Sequence, residues 1–382
     1  MKHWKKRGFV LSLAGMIAAA SLSGCSTSSV NNDEVLATVG DAEISYGVAN
    51  FYARMVQSRY EDYYTNLMGS TPSEFWEQEF LGQIYEESVK NELIENLENM
   101  YLLRQHAEEY DVALTEEEQK AIQKAAADFE EENDLEAKEL SSGYAKYIEE
   151  YLTIATIQNK MENSMKEGVD EEVSDEEAAQ KSMKYVFFSY TKEEDGSSSE
   201  EESDDNGSKE MSDDEKEELK KTAEKFAEDL KDSKDKDIDA AAEKAGLVVE
   251  TVTFDSETKQ PDTDLIEAAD KLKENEVTDV IETGSGLYVG VVTSLLDRKA
   301  TDEKKDSIIE DRKDEQYNSL LDEWRGEVEI TVNQELWESI DFANHGITDK
   351  KNQEAREGSA EGNSQSDAQQ ETENPTDEAA EE

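Results

Sequence analysis

Cysteine is almost absent: Cys25 is the single one in 382 residues, so no internal disulfide can form and stability must come from burial. Histidine is nearly as scarce, with three in the chain, and neither His106 nor His345 has another His or Cys nearby. A zinc centre needs several such ligands gathered, so none is expected. A serine–histidine hydrolase would have to work through those two residues, and no Gly-x-Ser-x-Gly elbow accompanies them. Both are expected at the surface, His106 among helical polar residues and His345 where the tail begins. No Gly-rich phosphate loop ending in Lys is present, so neither an ATP-driven cycle nor any other cofactor is expected. Positive charge is also in deficit: 39 Lys and Arg face 96 Asp and Glu, for a net charge of −57. Nucleic acid needs a basic footprint, which excludes it as a partner, and electrostatic docking to anionic lipid is excluded on the same ground.

What basic charge there is leads the chain. Lys2, Lys5, Lys6 and Arg7 precede an apolar run from Gly8 to Gly24, shorter than the ~20 apolar residues of a spanning helix. A basic head, a short apolar stretch and small residues describe a secretory signal over residues 1–24. Leu22-Ser23-Gly24-Cys25 resembles the bacterial lipobox, which implies that Cys25 becomes the lipid-bearing first residue. The mature chain would then sit on the extracytoplasmic face of the cell membrane, touching it through the anchor alone. Loss of the leader would take the charge from −57 to −61.

Residues 25–34 read as anchor and polar linker. Val35–Val39, Gly40-Asp41 and Ala42–Ser45 read as strand, turn and strand end, with Ser45 capping a helix to about Met68. Thr71-Pro72-Ser73-Glu74 is a capping box with Pro at the first helical position. The helix it opens is expected to run to Tyr101, with Leu81, Ile84, Tyr85, Val89, Leu93, Leu97, Met100 and Tyr101 on one face. Thr115 with Glu118 opens another helix, and a long one is expected from Leu135 to Met165. Ser174 with Glu177 caps a short helix, after which Lys184–Phe188 changes to strand period.

Glu193–Glu218 holds 14 acidic and 2 basic residues, and its 193–211 part is expected to be a disordered insert. It could hold calcium loosely, but it follows no EF-hand pattern and reads as a solvated, self-repelling loop. Helices from Ser212 and Asp237, a strand over Leu247–Phe254, a helix over Asp264–Leu272 and a strand over Gly286–Val292 give the order β-α-α-β-α-β. A charged helix from Thr301 to Trp324, a strand over Val328–Val332 and a last helical turn after Asn333 follow. Residues 347–382 have the composition of a disordered tail.

This layout resembles the PrsA/SurA-type extracytoplasmic foldases. The likeness rests on Val35–Ser45 and on Gly143-Tyr144 through Val173-Ser174-Asp175-Glu176-Glu177. It rests also on Leu265-Ile266-Glu267-Ala268-Ala269 with Leu272–Thr278, and on Trp324 with Val332-Asn333-Gln334-Glu335-Leu336-Trp337. The resemblance implies an α+β protein with a mainly helical chaperone body, from residues 35–180 and 298–342, around an inserted parvulin-like domain at 184–297. It implies unfolded or newly secreted proteins as partners, and it leaves a homodimer open.

The isomerase pocket departs from the family pattern. Tyr185 stands where parvulins place a His on the first strand, and Tyr288 stands where they place one on the last. Ser285 replaces the pocket aromatic, Leu265 replaces the pocket Phe, and the Gly-Gly-Asp-Leu-Gly loop is missing from Val248–Phe254. Amide resonance sets a barrier of ~18–20 kcal/mol to prolyl isomerisation. It is lowered by desolvating the imide and aiming hydrogen bonds at the twisted state. These replacements imply a weak or inactive domain within a chaperone; an active isomerase with a divergent pocket is the alternative. A solute-binding lipoprotein, with two parallel-stranded lobes, is a further alternative that the long helices oppose.

Phe51, Tyr52, Tyr60, Tyr63, Tyr64, Phe75, Trp76 and Phe80 crowd the first helices. Each reads first as core, while Tyr60, Tyr63 and Tyr64 near Gly69-Ser70 are candidates for contacting unfolded clients.

Overall fold

The computed structural model describes residues 17–21, 30–65, 71–80, 82–192 and 209–349. The chain forms two units, one from Met1–Glu167 with Glu315–Glu382 and one from Gly168–Asp314.

The first unit begins with β1 (Ile17–Ser21), then β2 (Val35–Val39) and β3 (Ala42–Ser45), an antiparallel hairpin about Gly40. Ser45 Oγ accepts from Val48 N and starts α1 (Tyr46–Tyr60). Gly47 is required there: a Cβ would lie 2.5 Å from the Tyr147 ring, whose hydroxyl donates to Asp33 at 2.8 Å. Of the helix expected to Met68, residues 66–68 lie outside the described ones. α1 ends at Tyr60 and passes into a π-turn, Glu61–Thr65, where the wholly buried Glu61 turns inward.

The Thr71–Glu74 box forms as read, but its helix, α2 (Pro72–Trp76), lasts little more than a turn. The chain then makes a two-stranded hairpin, β4 (Glu79–Phe80) with β5 (Gln83–Ile84), around Gly82 at φ +84°. Only afterwards does α3 (Tyr85–Gln105) begin. The apolar spacing carries straight through this break, which is why one continuous helix is the natural reading. Ile84 is in fact 41% exposed, whereas Val89, Leu93, Leu97, Met100 and Tyr101 are buried.

Thr115 and Glu118 cap α4 (Glu116–Glu132), and α5 (Leu135–Ser141) and α6 (Ala145–Met165) stand in place of one long helix. The break falls at Ser142, in the left-handed region at φ +54°. Gly143 beside it packs so closely that a Cβ would lie 3.0 Å from the Phe129 ring.

In the second unit the Ser174–Glu177 signal yields a turn rather than a helix, with Glu177 N donating to Ser174 Oγ. β6 (Lys181–Ser189) is followed by β7 (Thr191–Lys192) and β8 (Lys209–Glu210), which pair with each other. The last residues of the expected disordered insert are thus strand, and residues 193–208 lie outside the described ones. The Glu215 carboxylate accepts from Ser212 N to start α7 (Asp213–Asp232), and Asp237 caps α8 (Ile238–Ala245). β9 (Val249–Phe254), α9 (Thr263–Asp270), β10 (Ile281–Glu282) and β11 (Gly286–Ser294) complete an antiparallel sheet ordered β10-β11-β6-β9.

Strand alternation divides this unit into two layers. Val186, Phe188, Leu287, Val289 and Val291 pack with α7 and α8, while Met183, Tyr185, Tyr288 and Val292 pack with α9. Gly286 permits the closest strand approach, since a Cβ would lie 2.3 Å from the Phe188 carbonyl oxygen.

α10 (Arg298–Glu327) carries the chain back to the first unit, where β12 (Ile330–Val332) pairs with β2 and Asn333 caps α11 (Gln334–Glu338). Trp324, Leu336, Trp337, Ile340 and Phe342 join the core laid down by α1 and α3. His106 is not simply a surface residue: its ring stacks on Trp324 at 4.0 Å and 4°. β13 (His345–Asp349) then pairs antiparallel with β1, so the expected tail is strand through Asp349, and residues beyond it lie outside the described ones. The whole is α+β and mainly helical.

Candidate functional site

The α9 face of the second unit's sheet gathers three of the four residues singled out from sequence. Tyr185 lies mid-strand on β6 opposite Gly290 and Glu250, and Tyr288 lies on β11 opposite Phe187. Their rings meet edge-on at 5.8 Å, and Leu265, fully buried on α9, packs in the same cluster. Leu265 is held there because the Asp262 carboxylate caps its helix, accepting from Asp264 N and Leu265 N. Ser285 does not join them. It lies exposed in the turn before β11, where its hydroxyl is 3.3 Å from Thr283 Oγ1 and its carbonyl accepts from Tyr190 N.

The two tyrosines are unlike in chemistry. The Tyr185 hydroxyl donates to Glu250 Oε2 at 2.6 Å. Burial, then this hydrogen bond and the carboxylate's charge, hold the phenol far above its usual range, so it is a neutral donor already committed. Tyr288 is also raised, by burial and then by Asp262 and Glu250, but its hydroxyl has no hydrogen bond among the described residues. It is the free donor of the pair. Phe187 lies with its ring 4.5 Å from that of Tyr288 and closes the apolar wall.

Glu250 and Phe187 escaped the sequence reading. Phe187 is visible in the strand alternation from Met183. Glu250 is visible only through the register Tyr185↔Glu250, which is fixed by pairing 65 residues apart. Among the described residues no three His, Cys, Asp or Glu side chains converge as a metal site.

In the first unit the proposed client-contact tyrosines separate. Tyr60 is half-buried against Trp76 and Tyr85, at 5.8 and 6.3 Å. Tyr63 is 64% exposed, and the Tyr64 side chain lies outside the described residues. Phe51, Tyr52, Phe75 and Trp76 are core. The hairpin adds two apolar side chains that point to water, Phe80 and Ile84. No Lys, Arg or His occurs between Thr71 and Ser88, while Glu74, Glu77, Glu79, Glu86 and Glu87 do. Cys25 lies outside the described residues.

Comparison with known proteins adds a domain assignment. Residues 205–306, within the second unit, match the PPIC-type PPIASE domain family. No curated protein sequence matches the chain. Among solved structures, foldase protein PrsA from Streptococcus pneumoniae is 17% identical, covering 70% of this chain and 98% of that one, with a TM-score of 0.28. A Campylobacter jejuni structure described with PEB4 and Cj1289 as SurA-like chaperones is 10% identical, covering 78% and 98%, with a TM-score of 0.26. PrsA from Bacillus subtilis is 17% identical, covering 78% and 92%, with a TM-score of 0.19.

Proposed function

We propose that this protein is an extracytoplasmic chaperone, held at the membrane by lipid on Cys25, that binds unfolded or newly secreted polypeptides. Its PPIC-type domain serves as a scaffold with weak or no isomerase activity. The observation that carries this reading is the PPIC-type match over residues 205–306, inserted in sequence between the two parts of a mainly helical unit. The exposed Tyr63, Phe80 and Ile84 support client binding by transient apolar contact. The large negative charge would keep loaded complexes soluble. The reduced pocket chemistry follows from Tyr185 being bonded to Glu250, which leaves one phenol where an isomerase needs several polar groups aimed at the imide. Among the described residues, no helix is long and apolar enough to cross a membrane.

The test is an aggregation assay on a reduced, unfolded secreted protein. The mature chain at molar excess is expected to suppress light scattering, and scattering that proceeds unchanged would refute the reading. Uptake of labelled fatty acid, abolished by Cys25→Ser, tests the anchor. The free hydroxyl of Tyr288 favours a second reading, a divergent prolyl isomerase. Acceleration of cis/trans exchange in a Pro peptide, lost in the Tyr185→Phe, Tyr288→Phe double variant, would establish that reading instead.

A further inference from the structure

The buried charge in the first unit has no part in the function proposed above, yet it is arranged around one short strand. Arg54 Nη1 donates to the His345 carbonyl at 3.1 Å and to the Asp341 carbonyl at 3.0 Å. Gln57 Nε2 donates to the His345 and Phe342 carbonyls at 2.9 and 3.1 Å. Glu61 accepts from Ile347 N at 2.8 Å through one oxygen, and from Gln57 and Trp76 through the other. Arg54, Gln57 and Glu61 are 3%, 0% and 0% exposed. Three polar side chains from α1 and its π-turn thereby replace a neighbouring strand along one edge of β13.

A strand alternates its backbone groups between its two edges. Since His345 and Ile347 turn theirs toward α1, Gly346 and Thr348 turn theirs to the opposite edge. That edge is occupied by the leader: Ala20 pairs with Gly346 and Ala18 with Thr348, in the antiparallel register Ile17↔Asp349 to Ser21↔His345. Cleavage before Cys25 removes β1 and leaves these backbone groups open on a strand whose extended shape is still held from the other side. An unpaired edge held rigid is a template for strand addition.

We propose that the free edge of β13, residues His345–Asp349, docks an extended, uncharged segment of small and aliphatic residues from an unfolded polypeptide, as an antiparallel strand in the position the leader takes before cleavage. The leader shows the chemistry that fits: Ile17-Ala18-Ala19-Ala20-Ser21, without charge and with one side chain larger than serine. Ala19 lies opposite Ile347, which is itself packed with Phe51, Phe129 and Ile148. Main-chain hydrogen bonds supply affinity without reading sequence, as a chaperone of many clients needs. This inference rests on the chaperone and leader-cleavage readings and names where the client sits.

The experiment uses the chain from Ser26 onward and a fluorescent peptide of residues 14–23. Saturable binding is expected, weakened about tenfold or more when the peptide is N-methylated at Ala18 and Ala20, since each lost bond there strands a partner on the protein. Thr348→Pro, which removes an amide the core does not use, is expected to weaken binding similarly while leaving the thermal transition in place. The full-length precursor is expected to bind the peptide more weakly than the mature chain. Equal binding of the methylated peptide, or unchanged binding to the Thr348→Pro variant, overturns the proposal. So does a mature dimer that the proline variant converts to monomer, which would give the edge to a second copy. Peptide indifference with intact suppression of aggregation sinks the docking site alone; failure of both sinks the chaperone reading.

Discussion

Glu61→Gln tests the energetics of the buried network in a way that depends on pH. The wild-type carboxylate accepts from Gln57 and Trp76 on one oxygen and from Ile347 N on the other. Glutamine offers one acceptor oxygen and an NH2, so whichever way the amide turns, a buried donor faces another donor. Stranding a buried donor costs about 1–3 kcal/mol. Arg54, 3% exposed, also loses a nearby carboxylate, while removal of a buried charge works in the other direction. The protonated acid still keeps an acceptor lone pair on its hydroxyl oxygen, which the NH2 of glutamine lacks, so the expected net loss at mildly acid pH is about 1–3 kcal/mol. Burial is the leading cause of a raised Glu61 pKa, and these hydrogen bonds and Arg54 oppose the rise without cancelling it. The native state therefore binds this proton more tightly than the unfolded chain. The group's contribution is greatest below its unfolded value and declines as pH rises through the raised native value. The gap between wild type and variant should accordingly narrow from pH 5 to pH 8, a range kept above the isoelectric point of about 4.2. Denaturant titration followed by tryptophan fluorescence is the assay. Trp76, Trp324 and Trp337 all belong to the first unit, so the signal reports that unit and not the other. A gap that widens with pH, or no gap at any pH, refutes the reasoning.

Three other outcomes are expected. Gly47→Ala should destabilise the first unit by about 1–3 kcal/mol despite ~1 kcal/mol of better helix propensity, because the new Cβ meets the Tyr147 ring; the same fluorescence titration reads it, and a stabilised variant would refute it. Gly286→Ala should cost the second unit about 2–3 kcal/mol, since the atom struck is the backbone oxygen of Phe188 and cannot swing aside. Hydrogen exchange should rise along β6 and β11 in that variant and stay unchanged in α1 and α3. Glu250→Gln should lower the Tyr185 pKa by removing the charge that helps to raise it and leaving at most a weaker, neutral acceptor; ring-carbon NMR of labelled tyrosine reads this, and an unmoved titration would show burial alone to be responsible.

The local signals proved the most legible. Ser45, Thr71, Thr115 and Asn333 cap helices where the sequence places them, because a cap is settled by residues three apart. What the sequence conceals is decided by distant partners. The π-turn at Glu61 makes sense only once Ile347 N is found opposite it, 286 residues on. The hairpin at Glu79–Ile84 lies under an apolar spacing that fits a helix equally well, and only Gly82 at φ +84° betrays the turn. His345 and Ile347 sit in a stretch whose composition speaks of a tail, yet they supply a strand because α1 provides the buried partners. At the candidate site, Tyr185, Leu265 and Tyr288 come together as their places in the β-α-α-β-α-β order imply, while Ser285 is left in a turn that the order does not specify.

The strand β2 has one neighbour made at once and another made very late. β3 follows it directly, but β12 pairs Ala37 with Val332, and the hydroxyls of Thr38 and Thr331, 293 positions apart in sequence, meet at 2.7 Å. Every element of the sheet in the second unit, from Lys181 to Ser294, is synthesised before that partner exists. A chain delivered from its N-terminus can therefore finish its inserted domain first, whereas the first unit stays open at one seam until Ile330–Val332 arrives. A molecule cut short before Ile330 could not close that seam, and protease sensitivity confined to the first unit would mark it as incomplete.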